Sequence, residues 1–164
     1  MSVSTLNQKT VTATFTVSTG VYAAGDAIGT ANAPFEITGV FNKASQTATL
    51  LRGRLIDPEA QVGAKAINLL LFNANPTGTF TDNGPLAIAG TELVAKHQAT
   101  CRFAADAGAV YDTLAAASMA SQLRTQPITA GATTSLWVVC YTTDNPDWVT
   151  GVVLTALFDI ALNG

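Results

Sequence analysis

The residues that could do chemistry are few and scattered. The single histidine is His97, and two acidic pairs, Asp57 with Glu59 and Asp144 with Asp147, stand beside prolines. His97 could act as a general base, but no G-x-S-x-G nucleophile turn accompanies it, and no second histidine or C-x-x-C completes a zinc site. The acidic pairs lie in "DPE" and "DNPD", where aspartate typically stabilises turns through backbone hydrogen bonds. We therefore predict no enzyme, no cofactor and no metal site.

The composition and charge of the chain argue against nucleic-acid binding. Of the 164 residues, 48 % are hydrophobic and only 12 % are charged, about half the usual charged share. The net charge is −3 and the densest basic spot is Arg52 with Arg54, so we predict no nucleic-acid binding through charge neutralisation. A surface this poor in charge is either covered by Ser, Thr and Asn or buried against other subunits, and we favour the second.

The N-terminus and the cysteines indicate synthesis in a reducing cytoplasm. The stretch "MSVSTLNQKT" is polar, and no apolar run approaches the roughly 20 residues that span a bilayer, so we expect neither a secretion signal nor membrane contact. Cys101 and Cys140 each lie in a candidate strand. We expect two buried, reduced thiols, with a disulfide across facing strands as the alternative.

Alternation of apolar and polar residues predicts strands over most of the chain. "TVTATFTVS" has a period of two, with a threonine face and an apolar face. "FEITGVF" and "TATLLRGRLID" follow; in the second we expect Leu51, Gly53 and Leu55 on one face and Arg52 with Arg54 on the other. "AINLLLFN" is apolar at nearly every position, as expected of a strand covered on both sides.

The second half is also predicted to be mainly β. "LAIAGTELVAKHQATCRF" should end in a strand near residues 98–103, and "TTSLWVVCYTT" and "VTGVVLTALFDIAL" are the longest strand candidates. "VYDTLAAASMASQLR" carries good helix formers, so we predict a short helix there. Together these segments predict an all-β chain with one domain over residues 1–164. We expect a β-sandwich or jelly roll of about seven or eight strands, at most one short helix, and an extended N-terminal arm over residues 1–12.

One loop and one tryptophan are candidates for contacts with other subunits. The loop "FNANPTGTFTDNG" contains Asn75, Pro76, Phe80 and Asp82 but no histidine, cysteine or lysine. It could be held against a neighbouring subunit with Phe80 as its apolar anchor, or it could be ordered within its own subunit. Trp148 follows a turn, and it is either a core residue or a half-exposed contact.

Three segments together resemble a known family: "YAAGDAIG", "LLFNANPTGTFTDNG" and "LWVVCYTTDNPDW". They are similar to motifs of the capsid decoration (cement, or head-stabilising) proteins of tailed bacteriophages. The resemblance covers roughly residues 20–90 and 134–162. It implies a virion structural protein made in the host bacterial cytoplasm. Such a protein is a homo-oligomer, often a trimer, that binds the major capsid protein on the outer capsid and stabilises junctions between capsomers.

Within that hypothesis, the contacts are expected to involve the N-terminal arm, the outward arginines, the loop and Trp148. The candidate residues are Ser2, Val3, Leu6, Thr10, Arg52, Arg54, Asn75, Pro76, Phe80, Asp82 and Trp148. The arginines could instead be ordinary solvated strand residues. The alternative function is a receptor- or glycan-binding module of a phage tail or similar surface assembly, which an exposed aromatic side chain such as Trp148 would favour.

Overall fold

The computed structural model describes residues 7–59, 65–104, 110–114, 117–149 and 151–163, and it confirms the prediction of an all-β chain. Within these described residues, eight strands have five residues or more, and the one helix is short. In chain order the elements are β1 (Asn7–Thr16), β2 (Gly20–Val21), β3 (Ala27–Ile28), β4 (Phe35–Ile37), β5 (Thr47–Asp57), β6 (Ile67–Phe72), β7 (Gly78–Thr79), β8 (Ala87–Ile88), α1 (Gly90–Lys96), β9 (His97–Phe103), β10 (Val110–Leu114), β11 (Ala117–Thr129), β12 (Leu136–Thr142), β13 (Asp147–Trp148) and β14 (Val153–Leu162).

The first of the two main sheets is an unbranched series of five antiparallel strands in the order β1-β14-β5-β11-β10, and it is called the five-stranded sheet below. In β1 the threonines alternate with inward residues such as Ala13 and Phe15, which are buried, so the predicted period of two is confirmed. The register places Thr10 opposite Asp159, and Asp159 opposite Arg52. These three residues therefore lie side by side on the outer face of the sheet.

The other main sheet, called the second sheet, is branched: four strands follow one another in the order β3-β12-β6-β9, and a fifth, β4, also pairs with β12. Its two central strands, β6 and β12, are buried on both faces at almost every position. The inner faces of the two sheets share one hydrophobic cluster, which contains large residues from each sheet. Among them are Phe15, Leu55 and Phe158 from the five-stranded sheet, and Leu69, Phe103 and Val138 from the second. The fold is a two-layer sandwich.

The predicted helix over residues 110–124 is wrong. Residues 110–114 form β10, which pairs with β11, and β11 pairs with β5 from Ser118 opposite Asp57 to Thr129 opposite Thr47. The long β5 offers an unpaired edge, and ladder hydrogen bonds along that edge override the helix propensity of an alanine-rich segment. The helix of the structure lies elsewhere, at α1, just before the strand that was predicted near residues 98–103.

A β-bulge in β5 changes the face of one residue. Two neighbouring residues of β14 pair with Arg52 and Leu50, so Leu51 is an extra residue in the ladder. Gly53 and Leu55 are buried as expected, whereas Leu51 is half-buried. The prediction that Leu51 shares their face is wrong, because a bulge shifts the alternation by one residue and the sequence carries no separate signal for it.

The predicted extended arm also needs correction. Residues 7–12 are not an arm, because they pair with β14 from Asn7 opposite Leu162 to Thr12 opposite Leu157. Residues 1–6 lie outside the described residues, so the arm stays a prediction for those residues only.

Both cysteines are buried thiols, as expected. Cys140 pairs with Leu69 on β6, and Leu69 pairs with Cys101 on β9, so a whole strand separates the two sulfurs. Two strand spacings amount to about 10 Å, beyond the reach of a disulfide.

Candidate interaction surfaces

The loop after β6 folds back over the outer face of its own sheet. Three side chains of that face, Phe72, Trp137 and Val139, are buried in a second hydrophobic cluster. Four half-buried side chains pack against them: Leu70, Phe80, Leu86 and Ile88. Phe80 is therefore an apolar anchor, but it anchors the loop to its own chain. Of the two interpretations of this loop, the structure supports order within one subunit.

The loop also pairs with the turn "YAAGDAIG". Ala27 N donates a hydrogen bond to Gly84 O at 2.8 Å, and Asn83 N donates to Ala27 O at 3.0 Å. Leu86 N donates to Gly25 O at 2.9 Å. Two of the three segments that carry the family resemblance thus form one hydrogen-bonded unit, through residues more than fifty positions apart in the chain.

Asp82 is the polar centre of that unit. Its Oδ1 accepts hydrogen bonds from the Tyr22 hydroxyl at 2.8 Å and from Gly29 N at 2.6 Å, and its Oδ2 accepts one from Ser18 N at 3.1 Å. Burial of the Tyr22 ring, with a further contribution from the Asp82 carboxylate, raises the pKa of Tyr22 to about 12. Asp82, predicted as a contact residue, is engaged inside its own chain, where it ties three segments together.

Trp148 is a core residue. Only 1 % of its surface is exposed, and its ring stands edge-on to Tyr22 with centroids 5.3 Å apart. Its Nε1 donates to Asp57 Oδ2 at 3.3 Å. The expectation of a half-exposed subunit contact is wrong for Trp148, because the β13–β2 pairing turns it inward.

Asn75 and Pro76 lie where helix α1 supports the loop. Pro76 is buried and Asn75 is exposed, and Lys96 Nζ donates to Asn75 O at 2.8 Å. Lys96 also donates to Glu92 Oε2 at 2.7 Å, and the same Glu92 atom accepts from Thr77 N at 2.8 Å. These contacts hold the start of the loop against the helix.

On the opposite side of the molecule, Asp159 joins Thr10, Arg52 and Arg54. Its Oδ1 accepts from Thr10 Oγ1 at 2.6 Å and from Arg54 Nη2 at 3.0 Å, while its Oδ2 accepts from Arg52 Nε and Nη2, both at 2.8 Å. Burial acts to raise the pKa of Asp159, but the Thr10 hydroxyl and the two arginines outweigh it, so its pKa lies below the ordinary value. The arginines point outward as predicted, and they form an ion-pair cluster.

A cleft of about 520 Å³ opens beside this cluster on the outer face of the five-stranded sheet. Strand β1 contributes Lys9 and Thr10, β5 contributes Leu51 and the two arginines, and β14 contributes Asp159. Lys9 Nζ donates to Gly39 O at 2.8 Å, and partial burial lowers the pKa of Lys9.

Sequence reasoning found Thr10, Arg52 and Arg54 but missed Asp159, which brings them together. The available signal was the position of Asp159 in "GVVLTALFDIAL", where it falls between the inward residues Phe158 and Ile160. Its partners could not be identified because strand register is not encoded locally. The remaining predicted contact residues, Ser2, Val3 and Leu6, lie outside the described residues.

The acidic pairs and His97 have structural roles. Asp57 Oδ1 accepts from Glu59 N at 2.9 Å, and Asp144 Oδ1 accepts from Asn145 N at 2.9 Å, as expected for turn aspartates. His97 Nε2 lies 2.9 Å from Thr100 Oγ1, and burial lowers the pKa of the imidazole. Across the described ranges, no group of three or more His, Cys, Asp or Glu side chains is placed to hold a metal ion.

No protein-family model matches the chain, and no curated protein sequence matches it. Among solved structures, a similar chain occurs in the acidic stable capsid structure of Helicobacter pylori bacteriophage KHP30, with 13 % identity, a TM-score of 0.36, and coverage of 95 % of this chain and 87 % of that one. A Desmodium yellow mottle tymovirus chain has 12 % identity and a TM-score of 0.28, covering 99 % and 90 %. A chain from an Israeli acute paralysis virus particle has 8 % identity and a TM-score of 0.36, covering 96 % and 74 %. At these TM-scores the similarities carry no conclusion about function.

Within the described residues, no helix has the length and hydrophobicity needed to cross a membrane.

Proposed function

We propose that this chain is a capsid decoration protein: a structural component of a phage virion that binds the outer surface of the capsid and stabilises it. The observation that carries the proposal is the pairing of "YAAGDAIG" with the loop "TFTDNG" around Asp82. These segments were singled out because they resemble the same family, and their direct contact makes a chance resemblance of two unrelated turns a poor explanation.

The low charge of the chain and the anchored loop also support a mechanical role. Only 12 % of the residues of the chain are charged, and a surface poor in charge suits repeated contacts with other subunits. The loop is fixed to its own sheet by hydrophobic packing and hydrogen bonds, so attachment would not require ordering it. We propose a homo-oligomer, with a cyclic trimer as the arrangement that closes its own interfaces, bound to the major capsid protein at capsomer junctions. Many modest contacts then sum to a stable coat.

Copy number in purified virions tests this proposal. Quantitative mass spectrometry of the particles against the major capsid protein should give hundreds of copies of this chain per particle. A handful of copies would place the chain on a tail or a single vertex and overturn the decoration role. Absence from the particles would overturn any virion role.

The N-terminal arm is tested separately, by removing residues 2–6. This truncation leaves β1 intact, whereas removal of residues 2–9 would also delete ladder pairs with β14. We expect the truncated chain to keep its far-UV circular dichroism and to lose attachment to capsids that lack the protein. Unchanged attachment would eliminate Ser2, Val3 and Leu6 as contact residues.

An exposed aromatic side chain such as Trp148 would favour the alternative, a receptor- or glycan-binding module. Because Trp148 is buried, that residue gives the alternative no support.

A further inference from the structure

We propose that the cleft on the outer face of the five-stranded sheet binds an acidic side chain, an aspartate or glutamate, of a neighbouring protein chain in the particle. The identity of the partner as a virion protein rests on the proposed function. The carboxylate chemistry follows from the cleft itself.

The cleft has an excess of positive charge on a chain that is negative overall. Arg52 and Arg54 share a single carboxylate, Asp159, so one positive charge of this cluster is not balanced, and the ammonium group of Lys9, which also lines the cleft, is bonded to a neutral carbonyl, Gly39 O. The chain as a whole has a net charge of −3. A positively charged cleft on a negatively charged chain favours an anionic ligand.

The arginines have donors that Asp159 does not use. Asp159 engages Nε and Nη2 of Arg52 but only Nη2 of Arg54. Arg54 Nε is buried and has no hydrogen-bond partner among the described residues. A buried donor without an acceptor is unfavourable, and a small rotation of the guanidinium toward an incoming carboxylate would satisfy it.

The composition of the lining favours a carboxylate over a phosphate. Asp159 lies in the same cleft and would repel a dianion more strongly than a singly charged carboxylate. Leu51, displaced toward the cleft by the β-bulge, supplies an apolar wall for the methylene groups of an aspartate or glutamate. The volume of about 520 Å³ is large enough for such a side chain with its adjoining backbone.

The test is a titration of the full chain with a short blocked peptide, acetyl-Gly-Glu-Glu-Gly-amide, followed by NMR chemical shifts. We expect binding that weakens as ionic strength rises, with shifts on β1, β5 and β14. Arg54→Gln should weaken it about tenfold, because a hydrogen-bonded charged partner is lost. Asp159→Asn should strengthen it, because a repelling charge is removed. Arg102→Gln, which removes an exposed arginine from β9 of the other sheet, is the matched control and should bind as the wild type does.

The outcomes separate this inference from the proposed function. Equal binding of the peptide with both glutamates replaced by glutamine, or an equal loss in Arg102→Gln, would overturn the carboxylate site. Absence of peptide binding by the wild type would also overturn the carboxylate site. The decoration role would still stand if the chain were present in hundreds of copies per particle. If Arg54→Gln fails to fold, the opposite effect expected of Asp159→Asn still decides the matter: weaker or unchanged binding by Asp159→Asn contradicts the proposal.

Discussion

The outer faces of the two sheets differ in what covers them. The second sheet carries Phe72, Trp137 and Val139 on its outer face, and the chain covers them with its own loop. The five-stranded sheet presents the threonines of β1, half-buried Leu157 and the Arg–Asp cluster, with a cleft beside them. A large apolar face is thus covered from within the chain, whereas a polar face is left open.

This difference separates residues that stabilise the subunit from residues available to a partner. The loop was a candidate for subunit contacts because it is long and lacks catalytic side chains. Its Phe80 and Asp82 are engaged within the chain, by packing and by hydrogen bonds. Among the described residues no loop covers the open face in this way, and the charges of its Arg–Asp cluster are only partly balanced. We therefore expect substitutions on the covered face to change stability, and those on the open face to change binding.

The largest expected effect comes from opening a cavity on the covered face. Phe72 is fully buried, and Phe72→Ala should lower the free energy of unfolding by about 3–5 kcal/mol. Leu157→Ala truncates a half-buried residue on the open face and should cost about 1 kcal/mol or less. Urea denaturation of both variants measures the difference. Similar losses for the two would mean that the open face is covered too, for example by another subunit.

The second prediction concerns the Tyr22–Asp82 contact that helps to hold the covering loop. The pKa of Tyr22 is raised to about 12 from an ordinary value of 10.0, chiefly by burial. Because the folded-state pKa is the higher one, this contribution to stability is complete below pH 10 and is lost as pH rises through about 12. We expect a loss of about 2–3 kcal/mol over that window.

Denaturation midpoints measured from pH 9 to 12 would show this loss, with Tyr22→Phe as the matched variant. The variant lacks the ionisable hydroxyl, so its stability should fall less steeply over the window. An identical decline in the two proteins would show that other groups, such as Tyr141 with its raised pKa, cause the effect.

The strands that the sequence predicts well are those with a local alternation of residue types. The threonine pattern of β1 and the apolar run of β6 appear where expected, because each face is determined by consecutive residues. The segment of residues 110–124 was mispredicted as a helix because its alanines favour helix locally, while the pairing partner that makes it β lies in β5. Competition between local propensity and long-range pairing is not visible from the segment alone.

The candidate site residues were also predicted correctly where the signal is local, and missed or misplaced where it depends on pairing between distant strands. Arg52 and Arg54 were predicted to face outward from their spacing in one strand, and they do. The carboxylate that links them comes from β14, more than a hundred residues later, and their pairing depends on sheet register. Trp148 and Asp82 were predicted as contacts because each is typical of surfaces or turns. Both are engaged internally, since the β13–β2 pairing and the Gly-Asp turn bring distant partners to them.

The smallest expected effect is on the open face, at the hydrogen bond from Thr10 to Asp159. The pKa of Asp159 is depressed, so its contribution to stability is present above the ordinary carboxyl value and is lost as pH falls through the folded-state pKa. Thr10→Val removes one of the groups that lower this pKa. The pKa of Asp159 should therefore rise, with a change in unfolding free energy of only about 0.5 kcal/mol.

NMR titration of the Asp159 carboxylate carbon measures the shift, and Thr12→Val, an exposed threonine two residues along the same strand, is the matched control. An unchanged pKa in Thr10→Val would mean that the arginines alone set the charge of Asp159. The cleft would then be an ordinary ion-pair cluster in which the Thr10 hydroxyl has no electrostatic role. A rise confined to Thr10→Val would instead show that three strands jointly set the charge of the open face, the property that distinguishes it from the covered one.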